Sequence, residues 1–543
     1  MRLRGHGGFP DDEKERAMDE RTYDVLVIGG GAAGLSGAVT LARSARSVLV
    51  IDSGDPRNAP AGHVHNLLGR EGVPPAELYR AGRAEVATYG GEFREGTAEQ
   101  AERTADGFLV TLAGGAQVRG RRLLVTTGLT DELPAVPGLA ERWGRDVAHC
   151  PYCHGWELRG KRIGVLVAGP ISMHGAQLWR QLSDDVLYLL DGGPAPEPEQ
   201  AEQLAARSIP VVGEQVEAVE VTDDRITGVR LAGGRVIPLE AIAVAPRFVA
   251  RSAFLESLGL KAEPLEMNGH VMGLRIPAEE TGATTVPGVW VAGNVTNLGA
   301  TVAVAAAAGQ TAGAMINMDL IAGETRAAVE EYRRQQESMH EPAAWEERYR
   351  SRPAIWSGKP NVQLVAEAAG LPAGRALDVG CGEGADAAWL AERGWQVTGT
   401  DISTVALERA AGHATAAGLA ERITFTHADL RADPPAERSY DLVSAHFMHL
   451  PGPARRELYA RLAAAVRPGG TLLIVGHHPD DLATVAGRMH FPDMMFTAEQ
   501  AAADLDPDVF DVLTTAKRPR AATLPDGTEG IIHDTVLVAR RKR

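Results

Sequence analysis

Three times along this 543-residue chain an apolar run passes into a turn of small residues, then a helical segment, then a second apolar run. The units begin at Tyr23, Ile163 and Arg375. Each reads as a βαβ unit, which forces a parallel sheet with helices packed on its faces, because parallel strands can be joined only by a crossover. One hydrophobic core does not serve a chain of this length, so the expectation is a multidomain α/β protein. No repeat of 20 to 50 residues is present, although the first two units suggest two related nucleotide-binding lobes. The second half also alternates strand and helix, through YDLVSA and TLLIVG.

The first unit carries Gly29-Gly30-Gly31-Ala32-Ala33-Gly34 between strand and helix, and Asp52 ends the following strand. In a dinucleotide fingerprint Gly29 makes the tight turn, Gly31 lets the backbone approach a pyrophosphate, Gly34 lets helix and strand pack, and the acid meets a ribose. The formal charge of −16 excludes a nucleic-acid surface, which needs clustered Lys and Arg. Residues 1–21 are polar and lack an apolar core, so they are expected to be a flexible tail rather than a signal sequence. The uncharged stretch from Gly299 to Asn317 is built of Ala, Gly, Thr and Val, the composition of a tightly packed helix in a soluble protein rather than a membrane span. The expected location is cytoplasmic.

Three cysteines, Cys150, Cys153 and Cys381, exclude a disulfide framework and a four-cysteine zinc site. Two of them form His149-Cys150-Pro151-Tyr152-Cys153-His154, a spacing that serves redox chemistry or, with both histidines, zinc. Beside a dinucleotide-type glycine loop the redox reading is favoured and no metal is expected. From Tyr23 to about Asn317 the chain resembles low-molecular-weight thioredoxin reductases, and Cys-Pro-Tyr-Cys-His-Gly resembles the branch of gliotoxin- and holomycin-type dithiol oxidases. The resemblance extends to Thr284–Asn317, similar to a second FAD segment in which Gly293 precedes an acid on the ribityl chain. Here that position is Asn294, which can still hydrogen-bond a hydroxyl. The resemblance implies FAD on Gly29, Gly31, Gly34, Asp52, Gly293 and Asn294, and a homodimer through the FAD lobe. It also implies Cys153 against the flavin, Cys150 exchanging with substrate sulfur, and His154 as acid/base with His149 in reserve. His63 and His65 are weaker candidates.

The second unit departs from the fingerprint. Val167-Ala168-Gly169-Pro170-Ile171-Ser172 keeps one glycine, and acids and prolines follow the next strand where a 2′-phosphate would need arginines. NADPH is therefore not expected, binding through an altered loop being the alternative, and without it electrons from a dithiol would pass to oxygen.

In the third unit Asp378-Val379-Gly380-Cys381-Gly382-Glu383-Gly384 is followed by Asp401 at a strand end, by Asp429, and by Tyr440-Asp441-Leu442-Val443. This series resembles the class I S-adenosylmethionine-dependent methyltransferases. It implies a cofactor site from Asp378, Gly380, Gly382 and Gly384, with Asp401 on the ribose and Asp429 on the adenine. Trp345, Tyr349 and Trp356 resemble the lid of small-molecule methyltransferases, and His446, His449, His477 and His478 follow strand ends where one could deprotonate a thiol. Cys381 is expected to be packing.

The expected organisation is a tail (1–21), an FAD lobe in two parts (22–147 and 247–318) interrupted by a cysteine-bearing lobe (148–246), a linker helix (319–342) and a methyltransferase (343–543). The expected fold is α/β, two Rossmann-like lobes of a thioredoxin reductase-like flavoprotein followed by a separate Rossmann-like domain. The expected function is oxidation of a small dithiol coupled to methylation of a small molecule, plausibly a thiol, with no nucleic-acid or membrane partner. The alternatives are an NADPH-dependent disulfide reductase fused to a methyltransferase, and a flavin redox sensor controlling the methyltransferase half.

Overall fold

The computed structural model describes residues 21–169, 171–267, 270–338, 341–448, 450–482, 492–523 and 528–543. The expected tail, apart from Arg21, lies outside these residues, as do Pro170 and His449. The chain divides into two compact units between Glu324 and Thr325.

In the first unit, strands Glu92–Glu95, Val48–Asp52, Thr22–Ile28, Gln117–Val125 and Val289–Val291 pair in parallel in that order. The near-continuous apolar runs follow from burial on both faces. Leu26 and Ile28 enter one core, Val25 and Val27 the other, and none is more than 3% exposed. An antiparallel meander, Ala98–Thr104 and Gly107–Leu112, joins the first half of Gln117–Val125. The second sheet is also parallel, in the order Val211–Val212, Val186–Leu189, Ile163–Leu166, Ala241–Val244 and Val147–Ala148. Two strands of a smaller sheet, Leu129–Glu132 and Arg247–Ala250, pair where the chain leaves and re-enters the first lobe.

The linker expectation needs correcting. One helix runs from Val302 to Ser338 without a break at 318. Its composition changes because its burial changes. Ala305, Ala312, Ile316 and Leu320 form the buried stripe, and from Ile321 to Glu331 nearly every side chain is exposed. The loss of apolar periodicity therefore marks the end of packing, not the end of the helix.

The second unit holds one seven-stranded sheet, in the order Ile423–His427, Gln396–Asp401, Arg375–Val379, Tyr440–His446, Val466–His477, Glu529–Arg541 and Phe510–Thr523. The first five strands are parallel and the last two form an antiparallel pair. No helix among the described residues is long and apolar enough to cross a membrane.

Candidate functional site

The first glycine loop is held by contacts that only hydrogen in place of a side chain allows. Gly29 sits at φ +108°, where an added Cβ would lie 2.5 Å from the Thr126 carbonyl oxygen. A Cβ on Gly34 would overlap the Gly29 carbonyl oxygen, and one on Gly309 the Ala33 carbonyl oxygen, so helices Ala32–Arg43 and Val302–Ser338 cross backbone to backbone. Gly31 is different: a Cβ there meets nothing within 4 Å. It faces a cavity of about 840 Å³, which runs from Gly29–Gly31 and Asp52 past Asn294 and Thr301 to His149, Cys150, Cys153 and His154. Apart from Gly34, which packs against Gly29, the residues expected to hold FAD and those expected to exchange electrons thus line one space. The amino ends of both crossing helices open into it, which favours an anion such as a pyrophosphate. The size, the bare backbone at Gly31 and the two helix ends fit a dinucleotide.

Asp52 accepts from the Gly30 N–H (3.1 Å) and from Arg83, so it ties the loop to the neighbouring helix while lining the cavity. Asn294 acts as a staple. Its Nδ2 donates to the carbonyls of Asn297 (3.1 Å), Leu298 (3.4 Å) and Ala300 (3.0 Å), fixing the turn before the long helix.

Cys150 precedes the one-turn helix Pro151–His154, and Cys150 and Cys153 are both half-buried free thiols. The Cys150 thiol is lowered to about 7 by the hydrogen bond from Cys153, with help from the backbone N–H groups of Cys153 and Tyr152 and the nearby Arg57 charge, against the effect of burial. The same hydrogen bond, with burial, pushes Cys153 up. The pair is therefore polarised, with the thiolate on Cys150. His149 packs edge-on to Phe248 at 5.2 Å, and burial with the Arg57 charge takes it down to about 4, so it is neutral near pH 7. Burial also lowers His154, and its Nε2 is enclosed with no hydrogen-bond partner.

Sequence reasoning missed several neighbours. Arg57 makes a bidentate pair with Asp131 (2.7 and 2.8 Å) beside the cysteines. His65, ranked low above, bonds Glu71 at 2.6 Å and lies 3.5 Å from Glu157. A second cavity of about 410 Å³, lined by His63, His65, Arg145, His154 and Glu157, opens next to the pair. Only GHVHN carried a signal, because the other partners lie in distant segments.

In the cysteine-bearing lobe the Ala168 N–H donates to Ser172 Oγ (3.2 Å), so a hydroxyl occupies a donor that a pyrophosphate would need. Beyond strand Val186–Leu189, Asp191 accepts the Val216 N–H (2.8 Å), and Glu197 and Glu199 follow. Residues 190–200 supply no arginine or lysine for a 2′-phosphate.

In the second unit Gly382 adopts φ +52°, and a Cβ there would meet Tyr349 OH at 2.9 Å and Trp356 Nε1 at 3.0 Å. Tyr349 and Trp356 hydrogen-bond each other at 2.9 Å over the loop, while Trp345 tilts against Tyr349. Glu383 accepts from Arg409 (2.9 Å) and the Trp356 N–H, and Glu346 accepts from Ser403 Oγ and Thr404 Oγ1 (2.6 Å each), so the preceding segment is fastened over the glycine loop. Asp401 accepts from the N–H groups of Gly382 and Ser403 (2.9 Å each), and burial raises its pKa. Asp378 is buried with Oδ2 unpartnered, and burial, with Asp386 nearby, pushes it up to about 8. An enclosed acceptor beside a left-handed glycine loop fits the ammonium and amino-acid end of S-adenosylmethionine. Asp429 stands apart: both its oxygens are engaged by Arg431, which also lowers its pKa. Cys381 is buried, and burial raises its thiol well above the ordinary value, as suits packing.

Residues 23–309 match the pyridine nucleotide-disulphide oxidoreductase family. The chain belongs to that family. Residues 376–470 match a methyltransferase domain, so this oxidoreductase is an enzyme fused to a second enzyme. Thioredoxin reductase tcpT of Claviceps purpurea is 32% identical over 318 residues, which cover 55% of this chain and 94% of that protein. The crystal structure of HlmI is similar at 40% identity and a TM-score of 0.54, covering 58% of this chain and 97% of that one. An oxidoreductase from Agrobacterium tumefaciens aligns at 33% identity and a TM-score of 0.51, covering 55% of this chain and 99% of that one. The oxidoreductase unit is thus thioredoxin reductase-like.

Proposed function

We propose that this oxidoreductase oxidises a small dithiol to its disulfide through Cys150 and Cys153 with FAD, and that the fused domain uses S-adenosylmethionine to methylate a small-molecule thiol. The observation that carries the reading is the single cavity shared by the glycine loop, Asp52, Asn294 and the polarised cysteine pair. In this reading residues 22–147 and 247–318 hold FAD, 148–246 carry the cysteines, and 343–543 form the methyltransferase. A homodimer through the FAD lobe and a cytoplasmic location accompany it.

With the pair oxidised, a substrate thiolate attacks Cys150 Sγ, the bond to Cys153 breaks, and its electron pair stays on Cys153. Cys153, whose pKa is raised, takes a proton. The second substrate thiolate then closes the new disulfide and expels Cys150, a good leaving group because the Cys153 thiol donates the hydrogen bond that keeps its pKa low. His154, with Nε2 enclosed and free, takes and returns a proton in these exchanges. Bound in the cavity, FAD supplies the two-electron acceptor and the route to oxygen. The balance is one dithiol and one oxygen giving one disulfide and one hydrogen peroxide. The occupied donor at Ala168 and the acids beyond Val186–Leu189 favour this reading over an NADPH-driven reductase.

Anaerobic stopped-flow absorbance tests it. A dithiol such as dithiothreitol reduces the flavin and NADPH does not, and added oxygen restores the oxidised spectrum with peroxide formed. Rapid reduction by micromolar NADPH, with a disulfide consumed, would make the enzyme a reductase.

A further inference from the structure

Among the described histidines near the strand ends of the methyltransferase unit, His446 stands in a complete local arrangement. Strand Arg375–Val379 pairs in parallel with Tyr440–His446, with Val379 opposite Ala445. His446 is therefore level with Gly380, the first glycine of the cofactor loop, at the carboxyl edge where open parallel sheets bind ligands. Its Nδ1 lies 2.7 Å from Asp386 Oδ2, and the other oxygen of Asp386 accepts the Asn361 N–H at 2.6 Å. A carboxylate so placed accepts a hydrogen bond from Nδ1–H, which fixes the tautomer with the lone pair on Nε2. That Nε2 is buried and has no hydrogen-bond partner. The next residue, Phe447, holds φ +53°, a left-handed conformation that bulky side chains avoid and that collects at functional sites. Its N–H is fixed to the Val475 carbonyl of the next strand (2.8 Å), and strand Tyr440–His446 ends here.

We propose that His446, aligned by Asp386, is the general base that takes the proton from the acceptor thiol during methyl transfer. The proposal rests on the thiol-acceptor reading given above. The S–H bond breaks, its proton passes to Nε2, and the sulfur pair forms the new S–CH3 bond. The methyl carbon's bond to the sulfonium breaks, and that pair stays on the departing thioether sulfur. His446 then releases the proton to solvent. Burial lowers its pKa, but the hydrogen bond and charge of Asp386, with further contributions from Asp378 and Asp534, more than offset that and raise it, which stabilises the imidazolium formed in the step. Asp378, Asp386 and His446 also lie within 4.8 Å of one another. A metal there would find only Asp378 Oδ2 and His446 Nε2 free, because both oxygens of Asp386 already accept N–H groups. Asp386 is thus a positioning residue and His446 the catalytic one.

The test uses the full chain, saturating S-adenosylmethionine and two probe thiols: dithiothreitol, which must lose a proton, and thiophenol, largely ionised at neutral pH. His446→Gln is expected to lower kcat on dithiothreitol by about 100-fold or more and on thiophenol by less than about 10-fold. Asp386→Asn should show the same selectivity to a smaller degree. Affinity for S-adenosylmethionine by calorimetry should stay within about 2-fold, since the base does not hold the cofactor. Should His446→Gln fail to bind cofactor, His446→Ala with added imidazole reads the same step, and restoration on dithiothreitol alone supports it. Equal losses on both thiols, no loss on either, or no imidazole rescue overturns the assignment. If the parent binds cofactor yet methylates neither thiol, the thiol-acceptor reading itself fails, and the base assignment with it.

Discussion

The polarisation of the cysteine pair predicts an inversion of reactivity when one partner is removed. Cys150 stands at about 7 against an ordinary value of 9.0, and the leading cause is the hydrogen bond from Cys153. In Cys153→Ala that donor is gone, and the midpoint of Cys150 should rise. If the whole shift were lost, the thiolate fraction at pH 7 would fall from about one half to about 1%, a ~50-fold drop. Nucleophilicity rises with basicity with a Brønsted slope of about 0.4–0.5, so two units return a factor of roughly 6–10. The net result at pH 7 is alkylation slower by at most about 5–8-fold, the backbone N–H groups that remain making it smaller. At pH 9.5 the order reverses, because both thiols are then mostly ionised and the variant sulfur is the more basic. Iodoacetamide rates on the reduced, anaerobic protein from pH 5 to 10 supply the curves. Cys381 stays silent, being buried and raised. A variant midpoint still near 7, or curves that never cross, would refute the claim that Cys153 activates Cys150.

Gly31→Glu should fold, since nothing lies within 4 Å of the new Cβ, but lose its yellow colour because the side chain fills the flavin cavity; absorbance at 450 nm with unchanged circular dichroism checks this. Gly309→Ala should instead lower stability by about 1–3 kcal/mol or more, since its Cβ would overlap the Ala33 backbone, and a thermal melt indistinguishable from the parent would count against the backbone-to-backbone crossing. Asp401→Ala should abolish S-adenosylmethionine binding by calorimetry, because it releases the Gly382 and Ser403 N–H groups together and, in the proposed reading, removes the ribose acceptor.

Much of this was legible in the sequence for a local reason. Gly29, Gly34 and Gly382 are required by contacts made within one strand–turn–helix unit or directly against it, and such requirements print themselves on adjacent positions. Arg57 with Asp131, and His65 with Glu157, come together from segments 74 and 92 residues apart, and a single charged residue carries no mark of its partner. Asp386 was nearer to hand, two residues beyond Gly384, yet its meaning lies in His446, 60 residues on. The long helix was misdivided because apolar periodicity reports packing and falls silent when a helix continues into solvent. Asp429 is expected on the adenine from its place in the motif, and the motif says nothing of Arg431, two places away, which engages both its oxygens.

Asn294 has a consequence for how such a chain can change over time. Its Nδ2 serves three carbonyl oxygens at the turn before the long helix. A carboxylate in its place would have no hydrogen to offer and would set negative charge against those same three oxygens. One nucleotide change separates the two side chains, yet the step back to an acid is barred until residues 297–300 have first been rebuilt. The amide at 294 is a part that the surrounding backbone depends on, whatever else it contacts.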